Sequence, residues 1–203
     1  MPDTGAPYFI PFADPTDLVR DWPALSEDVA EQVALGLDAA GGLVAVKSAI
    51  FTGTQTNATA AGANFAVTDL SITHEVADAS NKLIISAFLG AVGASGAQSE
   101  GCLAVAVDGT LIAVGDSPGS RTAVTAGGQV KVNTTGDLAA TVTSMPAATF
   151  VYVPGAGSKT YTVRAVNMGT ATNTIFVNRQ ESDTDSGDRT RAVSSLVIQE
   201  VKV

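Results

Sequence analysis

The sequence predicts an all-β sandwich preceded by an extended and helical N-terminal segment. Three observations predict it. Ala, Val, Thr and Gly make up half of the 203 residues, and aromatics only 5%. Beyond residue 42, apolar residues recur with a period of two in short runs separated by turn residues, with no helical period between them. The charge is also uneven. Residues 1–40 hold eight acids against one base, Arg20, whereas the whole chain has a formal net charge of −9. The composition therefore changes near Gly41-Gly42, where a flexible joint is expected.

Pro7, Pro11 and Pro15 exclude a regular helix or a central strand at the start of the chain. Residues 1–25 are read as an extended anchor whose aromatic residues Tyr8, Phe9, Phe12 and Trp22 have no local sheet to cover them. Asp14-Pro15-Thr16-Asp17 has the chemistry of a helix start, and Trp22-Pro23 that of its end. A second start at Ser26-Glu27-Asp28 opens residues 26–42. There Ala30, Val33, Leu37, Ala40 and Val44 follow spacings of three and four, the seam of a short stalk. The same pattern also suits a single amphipathic helix lying on its own domain, and Gly36, Gly41 and Gly42 weaken either form.

Residues 43–203 are read as the sandwich. Val44–Phe51 is the first predicted strand, followed by a polar loop from Thr54 to Gly62. Val67–His74 and Lys82–Leu89 alternate, joined by turn chemistry at Asp78-Ala79-Ser80-Asn81. Asp108-Gly109 between Leu103–Val107 and Thr110–Val114 is a strong hairpin signal. Further strands are expected at 130–132, 139–143, 148–153, 159–166, 174–177 and 195–203.

Few residues offer chemistry. His74 is the single histidine and Cys102 the single cysteine, so neither a zinc site of ordinary composition nor an internal disulfide can be assembled within one chain. His74 is expected at a surface or interface. Cys102, entering an apolar strand, is expected to be buried as a small hydrophobe. Residues 181–188 alternate oxygen-bearing side chains but lack the closing glutamate of a calcium loop, and read as a solvated loop. The sequons at Asn57 and Asn133 carry little weight without a secretory signal, which the first residues do not resemble. No cofactor is expected, and no enzymatic activity. The acidic balance argues against nucleic acid, and the lack of an 18-residue apolar run argues against membrane insertion by a helix.

Two stretches carry a resemblance. Asp14 to Ala30 resembles the opening of tailed-bacteriophage virion proteins of the minor-tail, fibre or head-appendage kind, in which a leader precedes a β-rich tip. Lys159–Ala165, Ile175–Arg179 and Ser194–Val201 are similar to the C-terminal strands of jelly-roll tips of the complement C1q and tumour-necrosis-factor type. The resemblance implies a jelly-roll sandwich, a homotrimer and a location in the virion. Residues 1–25 would then attach to a capsid or tail protein, and no long shaft is present. The Ala/Val/Thr/Gly-rich composition agrees, since subunits packed around a three-fold axis need small and β-branched side chains on flat faces. Two rival roles keep the same fold: a tip that binds a host receptor or surface glycan, and a polysaccharide depolymerase. The scarcity of aromatic and nucleophilic residues argues against the depolymerase.

Overall fold

A computed structural model describes residues 42–95, 101–117, 119, 121–127, 144–180 and 191–203. Among the described residues the chain is all-β, with eleven strands and no helix: β1 Leu43–Phe51, β2 Gln55–Thr59, β3 Asn64–Val76, β4 Lys82–Phe88, β5 Val92–Ala94, β6 Gly101–Val107, β7 Thr110–Ile112, β8 Ala147–Tyr152, β9 Gly157–Asn167, β10 Asn173–Val177 and β11 Ser194–Val201. The predicted segments at 130–132 and 139–143 and the acidic loop 181–188 lie outside the described residues.

The strands form three antiparallel sheets. The first has the order β1-β11-β4-β8, the second β3-β9-β6-β7, and a smaller third β2-β10-β5. β1 pairs with β11, β3 with β9, β4 with β8 and β6 with β7. Each strand of the smaller sheet connects one large sheet to the other: β2 follows β1 and precedes β3, β5 lies between β4 and β6, and β10 between β9 and β11. The smaller sheet therefore sits at the end of the molecule where β1 finishes, away from Leu43 and Val201.

Alternation builds one core from the two large sheets. Leu83, Ile85 and Ala87 of β4 and Leu196 and Ile198 of β11 join Leu70 and Ile72 of β3, Tyr161 and Val163 of β9, and Leu103 and Val105 of β6. Burying each of the larger side chains contributes about 1.5–3 kcal/mol. β6 is buried along its whole length, because Cys102 and Ala104 on its other side meet Val166 and are covered by Leu111, Val124 and Met168. Cys102 is thus buried, as its sequence context predicts.

Local chemistry sets the turns. Asp108 and Gly109 both have positive φ, 49° and 85°, the geometry of the hairpin turn expected there. Asp108 also binds β9, its Oδ1 accepting from the Thr160 amide at 2.9 Å. Asp78 accepts from the Ser80 amide and hydroxyl, both at 2.8 Å, and these bonds hold its carboxyl below the usual range. In β3 a bulge at Asp69 (φ 59°) shifts the register between Ala66 and Ser71. Val67 and Leu70 both face inward as a result. Gln55 bridges the interruption, donating to the Ala66 carbonyl at 3.1 Å and accepting from the Thr68 amide at 2.8 Å.

Pairing with β10 explains one correction. The polar stretch Thr54–Gly62, expected as a loop, contains β2, which pairs residue for residue with β10. A second correction concerns Val44. It is not the end of a helical seam but part of β1, because the run from Leu43 to Phe51 pairs with the C-terminal strand. Thr110–Val114 also ends sooner than expected, at Ile112, since Ala113 turns into the left-handed region at φ 49°.

Candidate functional site

The outer face of the first sheet is unusual in what it exposes. On β11 the inward residues are Leu196, Ile198 and Glu200, so Ser195, Val197, Gln199 and Val201 face outward. Register then fixes four rows across the sheet. Ser195 lies between Ile50 and Phe88, and Phe88 is opposite Ala147. Val197 lies between Ser48 and Ser86, with Thr149 beyond. Gln199 lies between Val46 and Ile84, with Val151 beyond. Val201 lies between Leu43 and Lys82. Lys82 is the single charged residue in these rows.

Several of these apolar side chains are wide open: Leu43 is 60% exposed, Val46 52%, Ile50 60% and Val151 61%. The polar members are short, and two of them satisfy each other, Ser86 Oγ lying 3.0 Å from Thr149 Oγ1. Four strands about 4.8 Å apart and eight residues long span roughly 500 Å². Polar side chains occupy part of that area, and an apolar patch of a few hundred Å² is often a functional surface.

The second notable site is internal. His74 of β3 is 3% exposed and Glu200 of β11 is 1% exposed, and His74 Nε2 lies 2.8 Å from Glu200 Oε2. Glu200 Oε1 accepts from Asn81 Nδ2 at 2.6 Å and from the Ala77 amide at 3.0 Å. Burial alone pushes the Glu200 carboxyl up, but the hydrogen bonds from Asn81, Ala77 and His74 outweigh it and hold the group below its ordinary range. His74 Nδ1, Asn81 Oδ1 and the Tyr161 hydroxyl are buried without a hydrogen-bond partner. Burial of Tyr161, reinforced by Tyr152, Asp108 and Glu200, raises its phenol above the usual value.

This overturns the expectation of a surface or interface histidine. His74 shares the parity of Leu70 and Ile72, and Glu200 meets its need for a partner in the core. The pair joins the two large sheets but forms no nucleophilic or metal-binding constellation. Among the described residues, no three His, Cys, Asp or Glu side chains gather to hold a metal ion.

Of the residues singled out from sequence, Tyr8, Phe9, Phe12, Trp22, Ala30, Val33, Leu37 and Ala40 lie outside the described residues. Val44 is exposed at the start of β1. The apolar face itself draws on four strands far apart in sequence, and only their register brings it together. The available signal was the loss of strict alternation in Leu83-Ile84-Ile85, Phe150-Val151-Tyr152 and Leu196-Val197-Ile198, which marks strands with two apolar faces. The chain matches no protein-family profile and no curated protein sequence.

Proposed function

We propose that the protein is a homotrimeric structural component of a tailed-phage virion, a short appendage. Residues 1–25 attach it to a capsid or tail protein, and residues 43–203 form a self-associating jelly-roll tip. The observation that carries self-association is the charge-poor, exposed outer face of β1-β11-β4-β8. Its Val, Ile, Ser, Thr and Ala side chains are of the kind that lets flat faces of identical subunits meet closely. Burying such a face between copies removes apolar surface from water.

The strand pairing supports the jelly-roll part of the reading. Counting only the eight strands of the two large sheets, the first pairs with the eighth, the second with the seventh, the third with the sixth and the fourth with the fifth. That is the pairing of one long two-stranded ribbon, folded at Asp108-Gly109 and wrapped into two sheets. The leader resemblance supports the virion location, and the aromatic residues Phe9, Phe12 and Trp22 supply side chains of the type that dominate interfaces.

Mass measurement of the full chain at micromolar concentration tests the assembly. Three times the 20.4 kDa chain mass is expected, and a monomer at that concentration would refute it. Replacing Phe9, Phe12 and Trp22 together by serine is expected to abolish attachment to particles while leaving the mass in solution unchanged. Retained attachment would refute the anchor.

A further inference from the structure

At the end of the molecule that carries the smaller sheet, a cleft of about 590 Å³ opens between three pieces of chain. Ala61-Gly62, linking β2 to β3, forms one wall. Met168–Thr170, linking β9 to β10, forms the second. Asp116, Arg121 and Thr122, from the segment after β7, form the third. The volume suits a small ligand of a few rings.

The walls are braced from beneath. Asn167 is completely buried, and its Nδ2 donates to the Thr59 carbonyl at 2.7 Å and to the Ala171 carbonyl at 2.9 Å. Its Oδ1 accepts from the Gly169 amide at 2.8 Å. Its own amide donates to Ala63 O, and its carbonyl accepts from the Gly62 amide, both at 2.9 Å. One side chain and its peptide groups thereby lock the first two walls together. The chain on either side of the third wall is tied to the second sheet: Thr125 Oγ1 donates to Ile112 O at 3.1 Å and accepts from the Val105 amide at 3.0 Å, and the Gly115 amide donates to Val124 O at 3.1 Å. The first two walls are fixed before a ligand arrives, which reduces the ordering cost of binding there.

The lining selects the ligand class. Asp116 is a bidentate acceptor and Arg121 a planar fork of donors. Neither makes a hydrogen bond or ion pair with any other protein group among the described residues. The two charges are opposite, so the cleft offers no net attraction to a phosphate or a polyamine. Its apolar contribution is small, chiefly Met168 and Ala61, which does not suit a lipid or a drug-like aromatic. Thr122 and Thr170 add hydroxyls that both donate and accept. Adjacent hydroxyls of a sugar satisfy this set: a vicinal pair donates to a carboxylate or accepts from a guanidinium fork, while a ring C–H face rests on a thioether. We infer that this cleft is a binding site for neutral, hydroxyl-rich saccharides. None of its lining residues belongs to the outer face of the first sheet, so the inference stands or falls independently of the trimer.

The test uses the full-length protein on a printed array of neutral oligosaccharides beside ones containing uronic or sialic acid, followed by calorimetric titration with the best neutral binder. Binding to neutral oligosaccharides is expected. Arg121→Ala and Asp116→Ala are each expected to weaken it by about ten-fold or more, with unchanged solution mass and thermal midpoint. No binding to any neutral oligosaccharide, binding only to the acidic ones, or binding that survives both substitutions would each overturn the assignment.

Discussion

The two large sheets contribute to the same core but present opposite outer faces. On the second sheet the outward positions of β3 and β9 form a ladder of hydroxyls: Ser71 Oγ is 3.2 Å from Thr162 Oγ1, and Thr73 Oγ1 is 3.1 Å from Thr160 Oγ1. Glu75 stands exposed at the end of that ladder, opposite Ser158. On the first sheet the outward positions mix Val46, Ile50, Ile84, Val151 and Val197 with Ser48, Ser86, Thr149, Ser195 and Gln199. Both faces are built on the same backbone, with β-branched side chains that suit a pleated surface. Threonine and valine have nearly the same shape, so the β3–β9 ladder differs from the first sheet mainly in how many outward branches carry a hydroxyl. One face is finished for water, and the other leaves apolar side chains exposed.

The strongest way to break this comparison is to charge the apolar face. Val197 sits near its middle, between Ser48 and Ser86. Val197→Glu would bury an unpaired carboxylate in any subunit contact made there, at a cost of about 3–5 kcal/mol. The expected result is a folded monomer by mass measurement, with an unchanged β-type circular dichroism spectrum. The matched control, Thr162→Glu on the other sheet, is expected to leave the mass at that of the wild type. If Val197→Glu assembles normally, the apolar face is not the contact.

The next test concerns what joins the faces. Glu200→Ala would leave the donors of Asn81 and His74 buried without an acceptor and free the part-buried Ala77 amide, destabilising the chain by about 3 kcal/mol in denaturant titration. The same group gives a pH signature. Its folded-state pKa lies below the unfolded value, so its contribution is present at neutral pH and is lost as pH falls below about 4.3 and through the folded value. Glu200→Gln is expected to flatten that part of the stability profile. An unchanged profile would show that the carboxylate is not the titrating group. Tyr161→Phe should act in the opposite direction, because its buried hydroxyl has no partner. A gain of up to about 1 kcal/mol is expected, whereas a loss of that size would reveal a hydrogen bond to an internal water.

Much of this architecture was legible because it is local. Asp108-Gly109 specified its hairpin, Asp78 to Asn81 their turn, and the alternation of Leu70-Ser71-Ile72-Thr73 the inward side of β3. β2 was not legible, because Gln55–Thr59 has no apolar face and becomes a strand through β10. β5 was too short, and its Gly93 carries no pattern. The His74–Glu200 pair spans 126 positions, and nothing in either strand alone announces that the two will face each other. The apolar outer face is not legible in the sequence for the same reason. Leu83-Ile84-Ile85, Phe150-Val151-Tyr152 and Leu196-Val197-Ile198 disclose apolar residues on both sides of their strands, but only register shows that the second sides coincide.

The smallest expected effect is also the most direct measure of what distinguishes the two faces. Thr160→Val with Thr73→Val removes both members of one exposed hydroxyl pair and keeps their shape. The loss of a solvent-exposed hydrogen bond and the gain in β-branched packing nearly cancel, so the change in folding stability is expected to stay within about 0.5 kcal/mol. What should change is behaviour in water. Extending the substitution to Thr162→Val and Ser71→Val gives the second sheet an apolar outer strip like the first, and concentration-dependent association beyond the wild-type mass is expected in sedimentation. If the fourfold variant keeps the wild-type mass at high concentration, apolar side chains on a flat strand pair do not suffice for association. Any association through the first sheet would then have to rest on the fit of its four particular rows.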